Sequence, residues 1–218
     1  MSGPIEIEIA GVGAELWPGR ALHWPAGRIL FIADPHFGKA TAFRRLGMAV
    51  PDGTAADLER LSALLQGTGA ERLVVLGDFF HARSGVSPGT LAHLEAWRGL
   101  WPRLEVTLVR GNHDRQAGDP PRALDIECVD EPWGLGPLVG CHIPPETGVG
   151  HVLAGHVHPG IALRDRNGAR LRAACFVCGP SVTILPAFGG FTGLEIVRPR
   201  RDQRVFAVTD AEVIRCGG

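Results

Sequence analysis

Three short apolar runs, each halting abruptly at a small polar motif, constrain this chain more than any other feature. Residues 28–33 stop at Asp34-Pro35-His36, residues 72–76 stop at Gly77-Asp78, and residues 104–109 stop just before Gly111-Asn112-His113-Asp114. Runs of this length, bounded by turn residues, read as buried strands. Helical signals lie between them. A helix is expected around 40–45, followed by a Pro51-Asp52-Gly53 turn. Thr54 with Asp57 then has the form of a capping box, and Leu58, Leu61, Leu64 and Leu65 give the next helix one apolar face. Another helix is expected over 90–99. Alternating strands and helices demand parallel pairing with right-handed crossovers. In open sheets of that kind ligands bind beyond the carboxyl ends of the strands, and all three motifs fall there.

The remainder changes character. Strand-like stretches near 126–129, 136–141, 152–154, 160–163, 171–177, 194–197 and 205–208 are separated mainly by Gly/Pro turns, which reads as a more antiparallel half. Two further motifs appear there: a lone His142 after 136–141, and Gly155-His156-Val157-His158 after 152–154. No repeat, low-complexity tract or linker interrupts the chain, so residues 1–218 read as one α/β domain, long enough to bury a full core.

Composition excludes some classes of protein. A hydrophobic content of 45% with 21% charged residues is ordinary for a soluble globular chain. No segment approaches the roughly 18 apolar residues of a membrane span. The N-terminus has no positive region ahead of an apolar run, so no signal peptide is expected and the cytoplasm is the expected compartment. A net charge of −1 argues against a nucleic-acid-coating protein, though not against local contacts to a few phosphates. Five cysteines, an odd number, point to free thiols. Cys175 and Cys178 have C-x-x-C spacing, but in a strand their side chains take opposite faces, which suits neither a metal nor a redox pair.

The five motifs together supply two carboxylates (Asp34, Asp78), one amide oxygen (Asn112) and four imidazoles (His36, His142, His156, His158). That inventory suits two divalent cations sharing a carboxylate, with His113 left over to handle protons. Metals about 3.5–4 Å apart clamp a phosphate and lower the pKa of a water, so attack on a phosphate ester is the expected chemistry. Asp78 is the expected shared ligand. Asp34, His36, Asp78 and His158 would hold one metal; Asp78, Asn112, His142 and His156 would hold the other. His151 competes with His142, but it opens the strand that delivers Gly155-His156 and should lie a strand's length away.

In the order D-x-H, GD, GNHD, H and GH-x-H, these motifs resemble those of the calcineurin-like metallophosphoesterase superfamily across residues 34–158. A closer resemblance is to the ligase-associated DNA damage response endonucleases of the PdeM type. It is carried by residues 32–40, Phe43-Arg44-Arg45, and residues 75–81, 109–115 and 185–193. The resemblance implies a four-layer α/β sandwich in which two β-sheets lie between helices. It implies a manganese pair or a similar one of iron, zinc or magnesium, and a phosphodiester substrate such as DNA. It also implies a functional association with an ATP-dependent DNA ligase and a helicase in bacterial DNA repair, and no membrane. By the same resemblance His113 protonates the leaving alkoxide and Asp114 orients it. Where the superfamily often has a further Asp in its second motif, this chain has His81.

Two rival readings are a phosphomonoesterase and a non-catalytic interaction module. Such a module would be expected to lose ligands, whereas all seven and His113 are kept. Arg44, Arg45, Arg110 and Arg115 are candidate phosphate contacts or plain solvated charges. The Phe188–Phe191 segment is either a groove wall or a tight turn with packed aromatics.

Overall fold

The expected strand and helix alternation is present in a computed structural model that describes residues 3–51, 53–146, 150–164 and 170–216. Strands β1 (Ile5–Ile9), β2 (Val12–Trp17) and β3 (Ala21–Trp24) form an antiparallel meander leading into β4 (Ile29–Ala33). This meander is not among the strands expected above, although Ile7 and Ile9 alternate with Glu6 and Glu8 and turn inward. Then follow α1 (Lys39–Arg45), α2 (Thr54–Thr68), β5 (Arg72–Leu76), α3 (Pro88–Leu100), β6 (Glu105–Val109), α4 (Asn112–Ala117) and β7 (Glu127–Val129). The first sheet runs β1 to β7 in chain order and is parallel from β4 onward.

The second sheet contains β8 (Trp133–Leu135), β9 (Leu138–Gly140), β10 (His151–Ala154), β11 (Pro159–Arg164), β12 (Arg170–Cys178), β13 (Val182–Ile184), β14 (Glu195–Ile196), β15 (Arg204–Val208) and β16 (Val213–Cys216). Its order is β14-β11-β12-β13-β10-β9-β8, with β15 and β16 added beside β12. It is less antiparallel than expected, because β10 runs parallel to both β9 and β13. That detail positions the site, since β9 and β10 then end at the same edge.

Period-two patterning builds both cores. On β4 and β5, Phe31, Ala33, Val74 and Leu76 pack between the sheets against Leu153, Phe176 and Phe206. Leu30, Ile32, Leu73 and Val75 face the other way, onto Leu58, Leu61 and Leu65 of α2 and Leu94 and Trp97 of α3. Strands buried on both faces have no polar alternation, which is why these runs read as continuous apolar stretches. Each of the Val, Leu, Ile and Phe side chains among them contributes roughly 1.5–3 kcal/mol by leaving water. The result is two mixed sheets flanked by helices, and the four α-helices among the described residues all lie within the first 117.

Two local expectations meet the tertiary structure differently. Helix α3 begins two residues before the expected 90–99 span, because Ser87 accepts from the Thr90 N–H at 3.2 Å and Pro88 occupies the first turn. At α2 the N-cap is Gly53 rather than Thr54. Asp57 does not close a capping box. Its carboxylate accepts from Arg60 at 2.8 Å and from the Gly190 N–H, because a buried guanidinium and a distant loop compete for it. Cys175 and Cys178 take opposite faces of β12, as expected, one in the outer cluster and the other between the sheets.

Candidate metal centre

Five strand ends converge on one edge of the sandwich. From the first sheet, β4, β5 and β6 deliver Asp34 and His36, Asp78, and Asn112 and His113. From the second, β9 and β10 deliver His142, and His156 and His158. Backbone hydrogen bonds lace these ends together: Asp34 N–H to the Gly77 carbonyl, His36 N–H to that of Asp78, and Gly155 N–H to that of His142. Asp34, His36, Asp78, His156 and His158 all have left-handed backbones, with φ between 48° and 67°. Such conformations cost on the order of 1–3 kcal/mol each and persist only where the surroundings over-determine them. Two glycines permit the closest approaches. A Cβ on Gly77, itself at φ +78°, would lie 2.0 Å from His142 Nδ1, and one on Gly111 would lie 2.3 Å from Asp78 Oδ1.

All seven expected ligands and His113 come together. His36 Nε2 and His158 Nε2 are 3.2 Å apart, and His158 Nε2 is 3.7 Å from Asp34 Oδ1. In a second group, His142 Nε2 lies 2.9 Å from Asn112 Oδ1, 3.1 Å from His156 Nδ1 and 3.4 Å from Asp78 Oδ1. The sets able to converge on one ion, Asp34 with His36 and His158, and Asp34 with Asp78 and His142, have Asp34 in common. Asp78 nevertheless spans the groups with separate oxygens, Oδ1 toward His142 and Oδ2 3.8 Å from His36 Nε2. Asp34, by contrast, has Oδ2 committed to the His156 N–H at 2.8 Å.

The donor chemistry fits divalent cations. His142 Nδ1 donates to the Leu76 carbonyl at 3.2 Å, which leaves a bare Nε2 facing other acceptors. Asp34 Oδ1 is buried without a hydrogen-bond partner. Buried acceptors turned toward one another are costly unless a cation lies between them. Burial, with the neighbouring His158 adding to it, pushes the His36 imidazole down to about 2, so it stays in the neutral form that ligates metal. Burial also raises the Asp78 carboxyl, opposed by His142 and by the His113 N–H that it accepts at 3.0 Å. His151 is bonded to Thr183 at 2.9 Å, away from the cluster.

His113 stands over Asp78, with Nε2 3.8 Å from Oδ2 and its side chain 34% exposed. Its Nδ1 is held by the His81 carbonyl at 2.5 Å, not by Asp114. The expected orientation of His113 by Asp114 is therefore not a direct contact with the ring. Its carboxylate accepts from the backbone N–H groups of Gly111 and Phe79 at 2.9 Å each, and from Phe80 at 3.4 Å. Those buried donors would otherwise be orphaned, so Asp114 shapes the loops that carry Asp78 and His113 without touching the ring. Burial raises its carboxyl to about 6.

Some functional side chains were not legible in the sequence. Glu131 accepts the backbone N–H of His142 at 2.7 Å and of Ile143 at 3.0 Å, fixing the loop that presents His142. Arg20 donates to the carbonyls of Ala187 and Gly189, and Arg60 to that of Phe188. The loop so pinned returns N–H groups to the carbonyls of Ala33 and Asp34. No local motif signals either arrangement. Arg110 is not available to substrate, being engaged with Asp119 through two hydrogen bonds and with Asp130 through a third.

A family model for the calcineurin-like phosphoesterases matches residues 27–142, more than half of the chain, and the chain belongs to that family. It is a metal-dependent phosphoesterase, a hydrolase. The matched span stops at His142, so His156 and His158 join the site through the fold. The chain is also similar to the Pseudomonas putida nuclease MPE, at 45% identity over 98% of this chain and 100% of that one, with a TM-score of 0.86. Yfce, a phosphoesterase from E. coli, aligns over 85% of this chain and 96% of its own at 17% identity, with a TM-score of 0.42. No curated protein matches the chain.

Proposed function

We propose that the chain acts as one domain that hydrolyses phosphodiester bonds with two divalent cations, manganese foremost, and that its substrate is DNA under repair in the bacterial cytoplasm. The observation that carries this reading is Asp78. One buried carboxylate turns Oδ1 to His142 and Oδ2 to His36, so both donor groups gain an oxygen from the same residue. Asp34, His36, Asp78 and His158 would hold one metal, and Asp78, Asn112, His142 and His156 the other. When bound, such a pair supplies Lewis-acid polarisation of the phosphate and a water of lowered pKa.

The chain's own residues supply the rest. The His81 carbonyl fixes the Nδ1–H of His113, so Nε2 faces the site, and in the imidazolium form that nitrogen carries the proton destined for the leaving oxygen. Asp114 keeps the Gly111 turn and the 79–80 backbone in place, which sets where that imidazole stands. A polymeric substrate is supported by the 45% identity to a protein described as a nuclease. The exposure of His156 and the partial exposure of His113 agree with an open rim. No helix of the described residues is long and apolar enough to cross a membrane. An ATP-dependent DNA ligase and a helicase are the functional partners this role anticipates.

The test is a substrate panel on metal-reconstituted protein: a DNA oligonucleotide, bis-p-nitrophenyl phosphate and p-nitrophenyl phosphate with Mn²⁺, alongside metal stoichiometry by mass spectrometry. Diester cleavage with two metals per chain is expected. A clear preference for the monoester, or one metal at saturation, would overturn the proposal.

A further inference from the structure

A chain of aromatic rings leads away from the proposed acid. His113 stacks on His81 with centroids 5.1 Å apart and planes at 25°, and His81 stacks on Phe43 at 5.7 Å and 17°. Phe43 meets Phe191 edge to face at 5.8 Å and 84°. The chain ends in solvent, because Phe191 is 51% exposed whereas nearby Phe188 is fully buried. The pocket that Phe191 lines also contains His36, Lys39 and Thr192, so the exposed ring and the sole lysine share it with one of the proposed metal ligands.

The loop that presents Phe191 is unusually well anchored. Arg20 and Arg60 hold the carbonyls of Ala187, Phe188 and Gly189, and the Arg60 guanidinium also covers the Phe188 ring at 4.3 Å. Asp57 accepts the Gly190 N–H, and the Thr192 hydroxyl donates to the Gly189 carbonyl at 3.0 Å. A large apolar ring left in water on a rigid support is already ordered before binding, so a flat partner meets it at little entropic cost. Nucleobases are such partners, because every base has a π-face and stacking does not depend on sequence.

We propose that Phe191, backed by Phe43, is a stacking platform for a nucleobase flanking the scissile phosphate, with Lys39 facing the intervening backbone. This rests on the phosphodiesterase reading above and adds a base-binding subsite to it. The experiment compares kcat/KM for a DNA oligonucleotide with that for copies in which a single base is replaced by an abasic tetrahydrofuran, moved position by position around the cleavage site. In the wild type, one flanking position should lose roughly 5- to 150-fold. Phe191→Ala should show a comparable loss on the intact strand and no further loss when that same base is removed. Phe191→Tyr should keep the wild-type pattern, and unchanged thermal melting of Phe191→Ala separates lost binding from misfolding. The platform is overturned if no position is sensitive to base removal in the wild type, or if Phe191→Ala retains the wild-type discrimination. Failure of the wild type to cleave any oligonucleotide would instead remove DNA as the substrate in the reading above, and the platform with it.

Discussion

Gly77→Ala offers the sharpest test of how the site is assembled. The new Cβ would lie 2.0 Å from Nδ1, 2.3 Å from Cγ and 2.7 Å from Cβ of His142, whose ring is completely buried. Ordinary contact begins at 3.4 Å, so the ring must retreat by about 1.4 Å. That breaks its hydrogen bond to Leu76 and pulls Nε2 from Asn112. Two terms set the stability cost: about 1–2 kcal/mol for a side chain at φ +78°, and about 1–3 kcal/mol for forcing a packed ring aside. Urea unfolding in EDTA, where metal contributes nothing, should therefore show a loss of about 2–5 kcal/mol. Metal ligation tolerates only about 0.2 Å, so occupancy of the His142 group should collapse as well. The decisive comparison is the same substitution made in a His142→Ala background. With the ring gone, Gly77→Ala should cost only its backbone strain, about 1–2 kcal/mol. Equal costs in the two backgrounds would refute the clash as the cause.

Other perturbations separate the roles assigned to neighbouring residues. His113→Ala should lower turnover on a DNA oligonucleotide by roughly 10²–10⁴-fold while mass spectrometry finds the metals retained; Asp78→Ala should remove metal and activity together. For Asp114, burial raises the carboxyl from 3.8 to about 6. Both states are protonated below 3.8 and both are ionised above about 6, so this group makes the metal-free protein less stable as pH rises between those values. The change should be about 3 kcal/mol, read by urea unfolding, and Asp114→Asn should flatten that slope relative to wild type. Burial pushes the Cys175 thiol to about 12 and that of Cys178 to about 11. Iodoacetamide at pH 8 should leave both unmodified in folded protein and label both after denaturation, as peptide mass mapping would record.

Much of the parallel half was legible because β4, β5 and β6 are buried on both faces. Continuous apolar runs that stop at Asp34, Gly77 and Gly111 mark strand ends without ambiguity. The N-terminal meander was harder to read, being short strands tied by tight turns whose inner face is marked only by scattered residues, Ile7, Ile9, Ala14, Leu16 and Leu22. Thr54 and Asp57 carried a correct local pattern for the wrong purpose. A capping box is a local bargain between side chain and backbone, and a buried guanidinium at Arg60 outcompeted it. Asp114 misled in a similar way, since adjacency to His113 in sequence says nothing about which donors its carboxylate will meet.

The sequence by itself determined the donor inventory, two carboxylates, one amide and four imidazoles beside a spare histidine, because ligand chemistry belongs to residue type. It also determined that each donor sits at a strand end, because burial periodicity and turn residues are local properties. Only the tertiary structure decided which atoms face one another. The bare Nε2 of His142, the separate oxygens of Asp78 and the His81 carbonyl beneath His113 are long-range relations fixed by the packing of two sheets. The same packing pins the 187–190 loop with Arg20, Asp57 and Arg60 and leaves Phe191 in water at the rim. No local pattern encodes those contacts, since their free energy arises only once residues far apart in sequence share one low-dielectric interior.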